Sequence, residues 1–382
     1  MNTESSTSTA PSTNTAPSTN TAPSTNTKLG VQLTPWSNSR ELVKFGRRLS
    51  DVFDIIWVQD QVLARNVYAL LGALAQADCG VGTNVTYPIG RNPIEMASAV
   101  ATVAELVSDD NELVVGMGTG GALVNSLFSK NKPVTVVREA ITLMRRLWDG
   151  DAVELDEFPV LGAAMSYRPG AVAKLTYEAI RHPDILLAGV GPLILGVAAT
   201  HADGLISASN LPTLSRAAFD TGRYDEISGL DIVKKNRPAG AAPMRMVYGI
   251  NVSISADRER ARAHARRQVT LVAGNPRLWP ALQEVGLDVG SAEEVKKAFD
   301  DGLGIEGASA RCSEALADAL IVSGTPEECI GPMIELRDRA LAHGYNEFYV
   351  GAPLGPDPLE AAELLMRVVI PEVWPDHRGG QR

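Results

Sequence analysis

Cysteine is nearly absent: the 382-residue chain has three, Cys79, Cys312 and Cys329, in no CxxC or Cys/His spacing. An odd, scattered set argues against a disulfide framework and a zinc site and implies a reducing compartment, expected to be the cytoplasm. Histidine is also scarce, with five residues, His182, His201, His264, His343 and His377. None follows a strand end of the kind described below, so neither a histidine general base, a Ser/His triad nor a His-based metal site is supported. Positive charge is in the minority, 35 Lys and Arg against 45 Asp and Glu, for a net charge of -10. That balance argues against nucleic acid and against an anionic membrane surface, and leaves a small molecule as the expected partner. No segment approaches the ~20 uninterrupted apolar residues of a membrane span. The N-terminus lacks the basic start and apolar stretch of a secretory signal.

What is present begins with a repeat. The hexapeptide APSTNT occurs at 10–15, 16–21 and 22–27, with almost nothing apolar to bury. Residues 1–27 are therefore expected to be a disordered linker. From Lys28 onward, short β-branched runs alternate with helical stretches, the pattern of βα units around a parallel sheet. Eight strands are expected at 29–34, 55–58, 79–85, 113–117, 185–187, 204–207, 246–254 and 347–350. Helices are expected at 40–49, 67–77, 93–107, 134–148, 192–201, 257–272 and 358–369, with Pro93 and Pro192 in first turns, where a missing N–H is harmless. Segment 149–183 reads as an irregular insertion and 274–342 as a largely helical one. The count of eight favours a (β/α)8 TIM barrel over 28–375, followed by a short tail at 376–382, although a doubly wound sheet uses the same alternation.

In such a barrel the site lies at the C-terminal strand ends. The second strand ends in Gln59, Asp60 and Gln61, followed by Arg65 and Asn66. Asp60 suits either a hydrogen bond to a ligand ring or the cap of the next helix. The third ends Thr83-Asn84-Val85-Thr86-Tyr87 and runs through Arg91 into a helix. Such a segment supports a bulge against a flat ligand, or forms an ordinary loop. After the fourth come Gly118, Thr119, Gly120 and Gly121, whose exposed N–H groups suit an anion or a closely approaching ring, but which are no dinucleotide fingerprint. The fifth is followed by Gly189, Val190, Gly191 and Pro192, either a phosphate site at a helix start or tight-turn glycines. Arg65, Asn66 and Arg91 are candidate polar contacts to substrate or cofactor tail, or solvated surface groups.

These pieces resemble the bacterial-luciferase-like superfamily, and within it the methylenetetrahydromethanopterin reductases and their coenzyme F420-dependent relatives. FDIIWVQD with RNVY, TNVTYPIGRNP, VVGMGTGGAL, VREAITLMRRLWDGD, LLAGVGP with ADGLISASN, and SGTPEECI with GAPLGPDPLEAAELLMRVVIP occur in family order over nearly all of 28–375. The resemblance implies a (β/α)8 oxidoreductase that moves a hydride at C5 of the deazaflavin of F420, and the last two pieces, especially similar to the reductase branch, imply a reductase. It implies a non-prolyl cis peptide at Asn84-Val85 behind the central ring, with Thr86 following, and Asp60 beside the cofactor. Gly118, Thr119, Gly120, Gly189, Val190, Gly191 and Pro192 would follow the ring and its ribityl-phosphate arm. Asp60, Gln61 and Arg65 occupy the catalytic positions, Asn66 and Arg91 the substrate side. Two departures stand out: Gln61 replaces a histidine common in F420-dependent relatives, and Gly121 replaces a glutamate of the sugar-phosphate dehydrogenases, which also carry an aromatic residue near Arg65. A neutral amide cannot act as general acid or base. The family likeness also implies a homodimer and a separate F420 reductase supplying reduced cofactor. The alternatives are an FMN-dependent monooxygenase with a partner reductase and a non-catalytic flavin-binding relative.

Overall fold

A computed structural model of the chain describes residues 27–377 apart from 78 and 130. The repeat-bearing segment 1–26 and the end of the C-terminal tail, 378–382, lie outside the described residues. Among the described residues, eleven strands appear in chain order. They are β1 (Lys28–Leu33), β2 (Ile55–Val58), β3 (Gly80–Thr86), β4 (Leu113–Met117), β5 (Val153–Glu154), β6 (Val172–Ala173), β7 (Asp184–Ala188), β8 (Gly204–Ala208), β9 (Arg245–Ile254), β10 (Val322–Gly324) and β11 (Glu347–Leu354). Eight of them, β1-β2-β3-β4-β7-β8-β9-β11, pair in parallel, and β11 returns to β1, so the sheet closes into the expected (β/α)8 barrel. The additional β10 pairs with the far end of β9.

Each expected strand falls on one of these eight, with shifted ends; the last runs past the expected Val350 to Leu354. Several short elements were not expected, among them β10 and the helices Arg216–Asp220, Tyr224–Ser228 and Leu230–Asn236. The segment read as irregular holds an antiparallel pair, β5 with β6, and a helix, Pro159–Met165. Two-residue strands carry too little periodicity to register in a sequence. The helix read as 358–369 is Pro358–Leu364 followed by a π-helical turn, Leu365–Val369. Pro93 and Pro192 both open helices, Pro93–Ala104 and Pro192–His201.

Alternation along each strand sorts side chains between two cores. Ile55 and Trp57 point into the barrel beside Val114, Leu186, Ile206, Val247 and Tyr349, whereas Ile56 and Val58 join the layer beneath the helices. Both faces of the sheet are buried, which is why IIWV reads as one apolar run. Trp57 and Tyr349, with ring centroids 6.5 Å apart, fill the interior, and glycine makes room for them. A Cβ at Gly82 would lie 2.7 Å from the Trp57 ring, and one at Gly249 would lie 2.1 Å from the Tyr349 ring. A smaller core, including Val269, Leu282, Val295 and Leu316, holds helix Arg258–Ala273 against the helices of the second insertion.

The N-terminal end of the barrel is closed by charge. Arg245, at the first position of β9, donates to Glu347 at 2.8 and 2.6 Å, to Glu112 at 2.9 and 3.2 Å, and to Asp184 at 2.9 Å. The arginine side chain is 15% exposed, so removing it would leave three acidic side chains facing one another with their common partner gone. We expect Arg245→Met to cost about 3–5 kcal/mol, the range for breaking a buried pair from one side, read as a lower urea midpoint at unchanged slope. A midpoint equal to that of the parent chain would show that the cluster is not structural.

Candidate active site at the mouth of the barrel

At the opposite end, the C-terminal strand ends surround a cavity of about 990 Å³, at the upper end of ligand-pocket sizes and large enough for two ligands together. Each of its walls follows from a strand end. The end of β1 gives Gln32, the chain after β2 gives Gln59, Asp60 and Gln61, and β3 gives Asn84 and Val85 with Tyr87 beyond. Gly118, Thr119, Gly120 and Gly121 follow β4, and Ala188 and Gly189 come from the end of β7. Asn251 of β9, Tyr349 of β11 and one face of helix Arg258–Ala273 complete the lining.

The side chain of Asp60 has no exposed surface, yet it is fully paired. Arg91 donates to both of its oxygens at 2.7 Å, and the Thr86 hydroxyl donates to Oδ2 at 2.8 Å. The Tyr87 hydroxyl donates to the Asp60 carbonyl at 3.2 Å. The Asp60 carboxylate holds the Arg91 guanidinium above even its ordinary high range. Burial, aided by Asp60, pushes the Tyr87 phenol up to about 12. The arginine also lies 5.8 Å above the centre of the Tyr68 ring. This network ties the end of β2 to the end of β3. It assigns the capping role to another residue: Asn66 accepts from Tyr68 N and Ala69 N at the start of helix Val67–Leu74.

Along β3 the register slips between Thr83 and Thr86 relative to β4, so the chain bulges at Asn84 and Val85, whose peptide bond is cis. Gln32 of β1, two strands away, braces the bulge across the barrel mouth: its amide donates to the Asn84 carbonyl at 3.1 Å and accepts from Ala352 N at 3.0 Å. Gly118 N in turn donates to the Thr86 carbonyl at 2.9 Å. Gly120 has a φ of +82°, a conformation glycine adopts without a Cβ penalty. A Cβ at Gly121 would meet nothing within 4 Å, so this loop leaves an open cradle beside the bulge, at the end of the adjacent strand. Gln61 donates to Gln59 at 2.7 Å, an amide pair with no proton to give or take near neutral pH.

Of the residues singled out from sequence, Asp60, Gln61, Asn84, Val85, Gly118, Thr119, Gly120 and Gly189 converge on the cavity. Thr86 and Arg91 stand behind the wall as partners of Asp60. Arg65, Asn66, Val190, Gly191 and Pro192 are exposed outside the lining. The sequence reading passed over Gln32, Asn251, Tyr349 and His264. The first two carried a signal, a lone amide within an apolar strand. Asn251 donates to the Ala352 carbonyl at 2.6 Å, and its buried Oδ1 has no partner.

The network makes a specific prediction. Arg91→Met leaves the buried Asp60 carboxylate without its counter-charge, and is expected to cost about 3–5 kcal/mol. Adding Asp60→Asn should restore part of it, since the uncompensated charge is gone. A double-mutant cycle by urea unfolding measures this, and strictly additive losses would contradict it.

Comparison with known proteins places this geometry. The chain is 28% identical over 355 residues to a 5,10-methylenetetrahydromethanopterin reductase of Archaeoglobus fulgidus, covering 91% of this chain and 99% of the relative. It is 27% identical over 310 residues to an F420-dependent glucose-6-phosphate dehydrogenase of Mycobacterium tuberculosis, covering 77% and 78%. Its fold matches the coenzyme F420-dependent tetrahydromethanopterin reductase from Methanopyrus kandleri with a TM-score of 0.69 at 20% identity, covering 90% of this chain and 99% of the other. Residues 16–343 match the family described as luciferase-like monooxygenase, and with that span matched the chain belongs to this family.

Proposed function

We propose that this chain is a coenzyme F420-dependent oxidoreductase, working as a reductase that passes a hydride from C5 of the reduced deazaflavin to a small organic acceptor. The observation that carries the reading is a single cavity lined by both the bulge at Asn84 and Val85 and the adjoining open loop at Gly118, Thr119, Gly120 and Gly121. The kinship with F420-dependent relatives supports it.

The residues fit the cofactor. Asn84 and Val85 would back the ring, Gly118, Thr119, Gly120 and Gly189 would admit the chain leading from it, and Val190, Gly191 and Pro192 lie further along the same side. When bound, reduced F420 would supply two electrons together, as a hydride. The protein's part is to hold the surface against which that ring rests: Gln32 braces the bulge, and Arg91 and Thr86 fix Asp60 beneath it. Arg91 is thus given a positioning role in place of a substrate contact, and Arg65 none at the reacting atoms. Gln59 and Gln61 offer hydrogen bonds without titrating.

The proposal extends to the setting. Residues 28–375 act as one catalytic barrel between tails 1–27 and 376–382, as a homodimer in the cytoplasm, with reduced cofactor supplied by a separate F420 reductase. These points follow the family likeness. Among the described residues no helix is long and apolar enough to cross a membrane.

Fluorescence titration of the purified chain separates this reading from an FMN-dependent monooxygenase. F420 is expected to bind at micromolar concentration or tighter and FMN at least tenfold more weakly; the reverse order would overturn the assignment. Gly121→Trp, placed where a side chain meets open space, should weaken F420 binding tenfold or more without lowering the melting temperature.

A further inference from the structure

Hydride transfer to a polar double bond leaves an electron pair that must take a proton, so the cavity needs a group able to deliver one. Four side chains in its lining titrate: Asp60, Tyr87, Tyr349 and His264. Three are unsuited. Asp60 has all its capacity taken by Arg91 and Thr86. The phenols of Tyr87 and Tyr349 are each pushed up by burial to about 12, and the Tyr87 hydroxyl is already donating to a carbonyl.

His264 remains. It sits on helix Arg258–Ala273, on the same face as Gln268, Leu271 and Val272, all of which line the cavity at helical spacing. Around the closed barrel, β9 is four strands from β3 in either direction. The helix that follows β9 therefore stands across the mouth from the bulge at Asn84 and Val85, the side left open to an acceptor once a ring lies on that bulge. Buried Asn251 of β9, with its Oδ1 unpartnered, belongs to the same wall, and an unmet acceptor there asks for an N–H or O–H from a ligand.

The imidazole is oriented. The Ser253 hydroxyl donates to the Ala261 carbonyl at 2.8 Å, so its contact with His264 Nδ1, long at 3.5 Å, leaves the serine oxygen as acceptor and Nδ1–H as donor. Nε2 is then the nitrogen free to exchange a proton. Charges on the surrounding elements are engaged elsewhere: Arg267 with Glu306, Arg266 with Glu314, Arg258 with Glu328, and Lys296 with Asp300. Glu360, beyond β9, accepts from Ser255 and Ala256 N. Burial, with Arg267 adding to it, lowers the His264 pKa.

We propose that His264 is the proton donor of this site, standing in for the histidine that Gln61 replaces; the proposal rests on the F420 reading above. In reduction, the π bond of a substrate carbonyl or conjugated enone breaks as carbon gains the hydride. The electron pair left on oxygen takes a proton from the His264 imidazolium, forming O–H, and the imidazole regains its proton from solvent. Two electrons leave the reduced cofactor with the hydride, and its ring N–H proton passes to solvent.

The test uses the full chain, reduced F420 and 2-cyclohexen-1-one as acceptor probe. Because the donor must be protonated, kcat should fall as pH rises through a midpoint below the ordinary imidazole value of about 6.5. His264→Ala should lose about 100-fold in kcat and this pH limb, keep its F420 dissociation constant within about twofold, and regain activity with added imidazole. NMR of histidine-labelled protein should show the His264 resonance titrating at the same midpoint and shifting when F420 is added. A His264→Ala variant with unchanged rate and pH profile, an imidazole that does not titrate between about pH 5 and 8, or no oxidation of bound F420 by the enone would each overturn the proposal. Failure of the parent chain to bind F420 would instead overturn the functional reading, while the NMR titration still decides whether this imidazole exchanges protons.

Discussion

A carboxylate with no exposed surface can stay charged at the mouth of a barrel only if something grips it, and here Arg91 holds both oxygens of Asp60. Without that pair the desolvation cost of the carboxylate would exceed what a strand end can bear. With it, the carboxylate becomes a fixed anchor for the Thr86 hydroxyl, and the end of β3 is held in a bulged path. The position of Asn84 and Val85, and so the shape of the whole cavity wall, depends on this contact.

The two ends of the barrel divide their labour. The N-terminal end is closed by Arg245 and the acidic side chains around it, and the middle is filled by Trp57 and Tyr349 stacked against glycine backbone. Neither leaves room for a ligand. The C-terminal end opens into the cavity, and around the one Asp60–Arg91 pair its lining carries amides, glycines and an imidazole. A rigid stem below an open, polar mouth gives the fixed positioning that a hydride transfer requires.

Much of this was legible in the sequence, for physical reasons. Strands buried on both faces appear as continuous apolar runs such as IIWV, and proline at the first turn marks where helices begin, so eight strands could be read along the chain, while their closure into a barrel rested on that count and on the resemblance. The glycines after β4 and the chain at Asn84 and Val85 stood out by composition but could equally have been ordinary loops, and the family resemblance singled them out. Contacts between distant segments did not. Nothing in the sequence says that Asp60 pairs with a residue 31 positions away, and Arg91 therefore read as a free cation. His264 was missed because its place at the cavity depends on how the second insertion presses helix Arg258–Ala273 over the mouth, a packing result with no local pattern.

The central claim is a planar cofactor resting on the β3 bulge beside the glycine loop. Amide hydrogen exchange of the purified chain, with and without F420, addresses this directly. Protection is expected to rise at Asn84, Val85, Thr86, Gly118, Thr119, Gly120 and Gly189 and to leave the N-terminal end of the barrel unaltered. Protection confined to other surfaces, or none at these residues when F420 is bound, would contradict it.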